Sequence, residues 1–171
     1  ALQISSGVGF TKSQKQAFDH MVHTRLTLVW GPPGTGKTHF LAKAILSLVQ
    51  ARKDCGLTCR IGVAGFTHAS IENLLGKVHD FAEEFDCASE LSVYKVKSLN
   101  TSRGKRVLTL LDRDNIGSFS EGSFTIFGGT VYGLNWLTKY LLPFDILVVD
   151  EASQMKPGEL ALGMKMLRDD G

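Results

Sequence analysis

The chain has 171 residues, 43% of them hydrophobic, and a formal net charge of +2, which suits one α/β-sized domain able to bury its own core without disulfides or a structural metal. So slight a positive balance is far from the strongly cationic composition that by itself marks a nucleic-acid binder, and it does not exclude one. Cys55, Cys59 and Cys87 are odd in number and lack paired Cys-x-x-Cys spacing, so idle, reduced thiols are expected in an intracellular compartment, cytoplasmic or nuclear; no apolar run reaches membrane-spanning length.

In chain order, Phe10 to Ala17 opens an early helical stretch that carries Gln14. The apolar run Leu26-Thr27-Leu28-Val29-Trp30 predicts a buried strand, and it hands over directly to Gly31-Pro32-Pro33-Gly34-Thr35-Gly36-Lys37-Thr38, a complete GxxxxGK[ST] phosphate-binding loop. Phosphate oxygens need several backbone N–H donors at close range, so such a loop is glycine-rich and lets the chain wrap a β-phosphate without Cβ clashes. The helix that opens at Lys37 adds its positive N-terminal end. Lys37 is placed to reach the β- and γ-phosphates of ATP, and the Thr38 hydroxyl to take one position on Mg²⁺, which prefers hard oxygen ligands.

Beyond the loop, Phe40, Leu41, Ala44, Ile45, Leu48 and Val49 recur at helical spacing, as do Ile71, Leu74, Leu75, Val78, Phe81, Ala82 and Phe85, and each series covers a sheet face. Further strands are predicted at Ile61 to Phe66, Ser92 to Val96, Phe124 to Phe127 and Ile146 to Val149. Alternating strands and helices imply a parallel sheet with helices on both faces and ligands at the carboxyl ends of the strands. Asn100 to Ser123 is the most polar and turn-rich segment, where Lys105, Val107, Leu108 and Leu111 allow one short helix. Neither an internal repeat nor a low-complexity tract is present.

The run Ile146-Leu147-Val148-Val149 ends in Asp150 and Glu151. A carboxylate at a strand tip can hold Mg²⁺ through water, and its neighbour can orient and deprotonate the water that attacks a γ-phosphate, so Asp150 is assigned to metal and Glu151 to general base. The alternative is that both acids merely cap the next helix.

Asp150-Glu151-Ala152-Ser153-Gln154 resembles motif II of superfamily 1 helicases, in the branch that contains the nonsense-mediated-decay RNA helicases and senataxin, and the phosphate loop is similar to that branch's motif I. Phe10-Thr11-Lys12-Ser13-Gln14-Lys15-Gln16-Ala17 resembles its Q motif, which implies an adenine contact for Gln14, whose other reading is a solvated residue on an early helix; a carboxamide can donate to a ring nitrogen and accept from the exocyclic amine. Phe66-Thr67-His68-Ala69-Ser70-Ile71-Glu72-Asn73-Leu74 resembles motif Ia, which implies that Thr67, with His68 beside it, faces the sugar-phosphate backbone of single-stranded RNA or DNA. The match departs from the family at Phe66 and His68, where Pro and Asn are usual. Phe66 is expected in the core, with stacking on a base as its other reading. Gly128-Gly129-Thr130-Val131-Tyr132 resembles a further nucleic-acid-facing motif, in which Thr130 follows the strand; its other reading is a Gly-rich strand-to-helix turn with Thr130 as N-cap. Tyr132 and Trp136, spaced for one helical face, are expected in the core, with a base platform as their other reading. His20, His23, His39 and His79 have no recognisable metal partner.

The resemblance implies a P-loop, RecA-like fold: an N-terminal ATPase domain over residues 1–171, with motif III and later motifs, a second RecA-like domain and an arginine finger lying outside it. In that fold the motif III strand sits between the phosphate-loop strand and the Asp-Glu strand, so a gap or substitute is expected there. Slow hydrolysis and no strand separation are expected of this stretch alone. The competing readings are a P-loop ATPase or kinase without nucleic-acid activity and a scaffold that no longer hydrolyses.

Overall fold

The computed structural model describes residues 9–32, 34–96, 109–116, 119 and 122–169. Five strands form one sheet: β1 (Cys59–Ala64), β2 (Leu91–Val96), β3 (Thr109–Leu111), β4 (Phe124–Gly129) and β5 (Ile146–Val149), in the order β3-β2-β4-β1-β5. Every strand pair is parallel. Parallel neighbours need crossovers: α3 (His68–Ala82) lies between β1 and β2 and α4 (Val131–Leu137) between β4 and β5, while α1 (Lys12–Met21) and α2 (Lys37–Asp54) precede β1 and α5 (Pro157–Met164) follows β5.

Successive side chains on a strand point to opposite faces, so each strand divides its apolar residues between two layers. Ile61, Val63, Ile126 and Val148 pack with Ala42, Ile45, Leu46 and Val49 of α2 and with Ile71, Leu74, Leu75 and Val78 of α3. On the other face, Ala64, Val96 and Phe127 pack with Val131, Leu134 and Leu137 of α4, with Leu160 of α5 in partial contact. The expected parallel sheet with helices on both faces is the architecture observed. Fully burying a Val, Leu or Phe side chain contributes about 1.5–3 kcal/mol each, and these two layers contain most of the buried residues.

A third, smaller cluster fastens α1 to the start of α2. Phe18 is buried against Phe40 and Ala44, and the Phe10 ring lies 5.4 Å from Phe18 and 5.5 Å from Phe40, centroid to centroid. The stretch carrying Gln14 is thereby held beside the helix that follows the phosphate loop.

Four sequence expectations are corrected. Leu26 to Trp30 forms no strand: Leu26, Leu28 and Trp30 are 69%, 85% and 88% exposed. An extended run becomes a strand only by bonding to a neighbour, and β5, which pairs with β1, has no second strand beside it among the described residues. Phe144, just before β5, instead bridges in parallel to Leu167. Second, β1 ends at Ala64, two residues before Phe66. Third, Leu111 belongs to the short strand β3 rather than a helix, because Tyr94 to Val96 offer it a parallel edge; Lys105, Val107 and Leu108 lie outside the described residues. Last, the core positions expected for Phe66 and Tyr132 are not taken, since the two are 51% and 63% exposed. Trp136 is partly buried, as its spacing suggests.

The thiols fit the idle role. No disulfide joins the cysteines; Cys55 is exposed, while Cys59 and Cys87 are buried. Burial pushes the Cys59 thiol up to about 12, so it stays protonated and unreactive. Among the described residues no helix is long and apolar enough to cross a membrane.

Candidate nucleotide site

The phosphate loop runs from Gly31 into α2. Thr35 closes its turn: its N–H and its hydroxyl both donate to the Pro32 carbonyl, at 3.4 and 2.8 Å. Gly34 and Gly36 hold φ values of +79° and +78°, left-handed backbone that costs most other residues roughly 1–2 kcal/mol. A Cβ at either position would meet nothing within 4 Å, so it is the backbone conformation and not space that calls for glycine there. Pro33 lies outside the described residues. Gly36 is the N-cap of α2 and makes no side-chain cap, which leaves the first-turn amides without a protein side chain across them.

Lys37 curls back into this turn, where its ammonium donates to the carbonyls of Gly31 at 2.6 Å and Pro32 at 3.0 Å. The charge therefore sits inside the loop. Thr38 follows in the first helical turn, half-buried.

Asp150 and Glu151 stand at the carboxyl end of β5. The Asp150 N–H donates to Ala64 at 2.9 Å, continuing the ladder with β1 for one residue. Its carboxylate Oδ1 then accepts the N–H of Glu151 at 3.0 Å. Glu151 is left-handed, with φ 54° and ψ 39°, and among the described residues no other non-glycine has positive φ. A strained non-glycine at a strand tip is a feature that active sites accumulate. The capping alternative gains no support, because Glu151 precedes its short 3-10 turn without a side-chain cap bond.

The electrostatics join the two halves. Burial raises the Asp150 carboxyl above the ordinary carboxylate range, while the Glu151 N–H and, next, the positive charge of Lys37 pull it down. Residues far apart in the chain, Lys37 and Asp150, thus feel each other's charge. The donors fit a magnesium-bound triphosphate: an ammonium, a hydroxyl and a carboxylate beside open amides. Among the described residues no three His, Cys, Asp or Glu side chains form a metal cage; Mg²⁺ typically uses one or two protein oxygens together with substrate phosphates.

Gln14 sits in the first turn of α1 and its carboxamide is engaged in a capping box. Its Oε1 accepts from the Thr11 N–H at 3.0 Å, and the Thr11 hydroxyl accepts from the Gln14 N–H at 3.3 Å.

Farther along the same carboxyl edge lie the other expected residues. Thr67 caps α3, accepting the Ser70 N–H at 3.1 Å, and Thr130 caps α4, accepting the Gly133 N–H at 3.2 Å. Thr130 is therefore an N-cap, as one of its two readings held. Beneath the α3 start, Lys95 is 1% exposed and ion-paired with Glu72. Burial and then the Lys95 charge hold His68 below the ordinary imidazole range, with Glu72 opposing. Nothing in the sequence singled out Lys95, which occupies an ordinary strand position.

A family model described as AAA domain matches residues 9–114. Among curated proteins, the chain is 24% identical over 161 residues to the DNA replication ATP-dependent helicase/nuclease DNA2 of Saccharomyces cerevisiae, covering 90% of this chain and 10% of that protein. It is 36% identical over 72 residues to the NFX1-type zinc finger-containing protein 1 homolog of Caenorhabditis elegans, covering 42% and 3%. With the ATP-dependent helicase NAM7 of S. cerevisiae it shares 35% over 68 residues, covering 40% and 6%. The chain thus spans a tenth or less of the length of these three relatives. Among solved structures, a nuclease-deletion mutant of the Type ISP restriction-modification enzyme LlaGI, in complex with a DNA substrate mimic, superposes with a TM-score of 0.59 at 16% identity, over 94% of this chain and 16% of that one. At that identity the likeness is one of fold.

Proposed function

The chain belongs to the AAA domain family and is a RecA-like domain of the superfamily 1 helicase group, and on that premise we propose that residues 1–171 are the N-terminal motor domain of an ATP-dependent RNA or DNA helicase. Its task is to bind and hydrolyse ATP in step with movement along single-stranded nucleic acid, in partnership with a second RecA-like domain of the parent protein. The observation that carries this reading is the phosphate loop with Lys37 curled into it, together with an acidic pair at the carboxyl end of β5 whose Asp150 feels the Lys37 charge. The names of the relatives, which include an ATP-dependent helicase/nuclease and an ATP-dependent helicase, support it.

The roles follow from the chemistry of the side chains. Amides of the turn from Gly31 to Thr38 receive the phosphate oxygens. Phosphate competes with the Gly31 and Pro32 carbonyls for the Lys37 ammonium, which then holds the β- and γ-phosphates. Thr38 and Asp150 are the residues that would hold Mg²⁺, which when bound neutralises charge on the phosphate oxygens. Glu151, lifted off the strand by its left-handed backbone, orients water and accepts its proton. Gln14 offers its amide N–H to the adenine while its oxygen stays in the helix cap. Thr67, His68 and Thr130 face the nucleic-acid backbone.

Replacing Lys37 with alanine in the parent protein should weaken ATP binding by at least about tenfold, followed by titration with a fluorescent ATP analogue, and should abolish unwinding. Glu151→Gln should retain ATP affinity and lose turnover. Full unwinding by the Lys37→Ala protein would refute the reading. Normal ATP affinity in a parent whose hydrolysis ignores single strands, and which binds none, would favour a P-loop ATPase of another kind.

A further inference from the structure

Lys95 is a buried charge that the nucleotide chemistry leaves unused. It stands on β2 opposite Gly128 of β4, and residues paired across parallel strands point to the same face of the sheet. That face is the one α3 covers: a Cβ on Gly128 would come within 2.5 Å of Leu75 and 2.9 Å of Ile71, so the helix lies directly on the strand there. Beside this contact Lys95, 1% exposed, gives its ammonium to the Glu72 carboxylate in the second turn of α3. His68, which opens α3, precedes Glu72 by one helical turn and shares its face. The Lys95 charge reaches it.

Stability does not account for such a pair. The same face is otherwise built from Ile61, Val63 and Ile126 against the apolar residues of α2 and α3, and apolar side chains in place of a buried ion pair commonly hold a fold as well or better, because neither charge then has to leave water. What the pair adds is direction. It ties β2 to the turn of α3 that follows Thr67, whose hydroxyl caps the helix. The other elements packed on α3 place their charges elsewhere: β4 presents the uncharged Ile126 and Gly128, and from α2 His39 and Lys43 meet Phe81 at the far end of the helix.

We propose that Lys95 is a positioning residue for the nucleic-acid strand: clamped to Glu72, it fixes the first turn of α3 on the sheet and so sets how Thr67 and His68 meet the sugar-phosphate backbone. The role rests on the motor-domain reading above and specifies what holds that edge in place. Burial and then the Lys95 ammonium keep His68 below the ordinary imidazole range, with Glu72 opposing. An uncharged imidazole both donates and accepts a hydrogen bond, whereas an imidazolium only donates and adds a salt-sensitive attraction to phosphate. A motor has to release the backbone as it moves, and a neutral contact of fixed direction suits release better than the stronger charge-assisted bond. Removing Lys95 undoes both effects: the turn loses its tie, and His68, left with Glu72, takes a proton at higher pH.

The test is fluorescence anisotropy of the parent protein with labelled oligouridylate and oligothymidylate strands, and with a fluorescent ATP analogue, from about pH 8 to about pH 6, across the imidazole range. At the higher pH, Lys95→Met should weaken strand binding roughly 2- to 30-fold, with the ATP analogue bound as before. Toward the lower pH that variant should regain strand affinity, and adding His68→Gln should abolish the recovery. Lys95→Arg, which keeps the charge, should restore the wild-type affinity and pH profile. Glu72→Gln, which leaves the ammonium beside His68, should weaken strand binding with no recovery at the lower pH, and it carries the test if Lys95→Met does not fold. Strand affinity within about twofold of wild type in both variants, or a recovery that survives His68→Gln, overturns the role of Lys95 and leaves the motor-domain reading standing. Equal loss of strand and ATP binding marks a merely structural pair and overturns the role as well. A wild type that binds neither strand overturns both.

Discussion

Leu26 to Trp30 and Ile146 to Val149 are near-equivalent apolar runs, each followed by half of the nucleotide site, yet only the second is a strand. Ile146 to Val149 pair with Ile61 to Ala64 in register, and Val148 is buried beneath α2 and α3. Leu28 and Trp30 are 85% and 88% exposed. The difference lies in neighbours, not composition: backbone groups and apolar side chains gain from extension only when another strand accepts the hydrogen bonds and a helix covers the face. The phosphate loop nonetheless keeps its shape, because its curl is set by Gly34, Gly36 and the internal bonds of Thr35 and Lys37 rather than by the strand before it.

That contrast can be broken by placing charge in each region of the 171-residue chain and reading urea midpoints. Val63→Asp, in a central strand at 0% exposure, should cost more than about 4 kcal/mol and leave little folded protein, since a lone carboxylate there has no partner. Asp145→Ala should cost about 2–3 kcal/mol. This buried carboxylate, just before β5, accepts the Arg60 N–H at 2.7 Å and the Arg168 guanidinium at 2.7 Å, with Arg52 at 3.8 Å, and so ties the start of β5 to β1 and to the segment after α5. The Arg168 side chain is 48% exposed, which keeps the figure modest. Leu28→Asp should change stability by no more than about 0.5 kcal/mol. A loss of 2 kcal/mol or more would mean that Leu28 is buried in solution and that the two runs are alike after all.

The two halves of the candidate site differed in how far they could be read from residues. The loop from Gly31 to Thr38 was legible because its demands are local: left-handed glycines, a lysine and a hydroxyl at fixed spacing. Asp150 and Glu151 were legible as an apolar run ending in acids, and the strand is observed over the expected Ile146 to Val149. At the carboxyl edge beyond β1 and β4 the reading failed by side-chain direction. Phe66 follows an apolar strand and was assigned to the core, but the ladder stops at Ala64 and the capped turn at Thr67 sends the ring outward. Tyr132 shows the same limit, because helical spacing gives a face and not what the face meets.

The amino-acid sequence alone determined the alternation of strands and helices, the phosphate loop and the acidic strand tip, since each depends on residues close together in the chain. Only the tertiary structure decided which apolar runs became strands, that Lys37 and Asp150 share one field, and that Phe66 and Tyr132 stand exposed. Burial, charge proximity and exposure are set by parallel crossovers between distant segments, and no local pattern specifies what lies across such a contact.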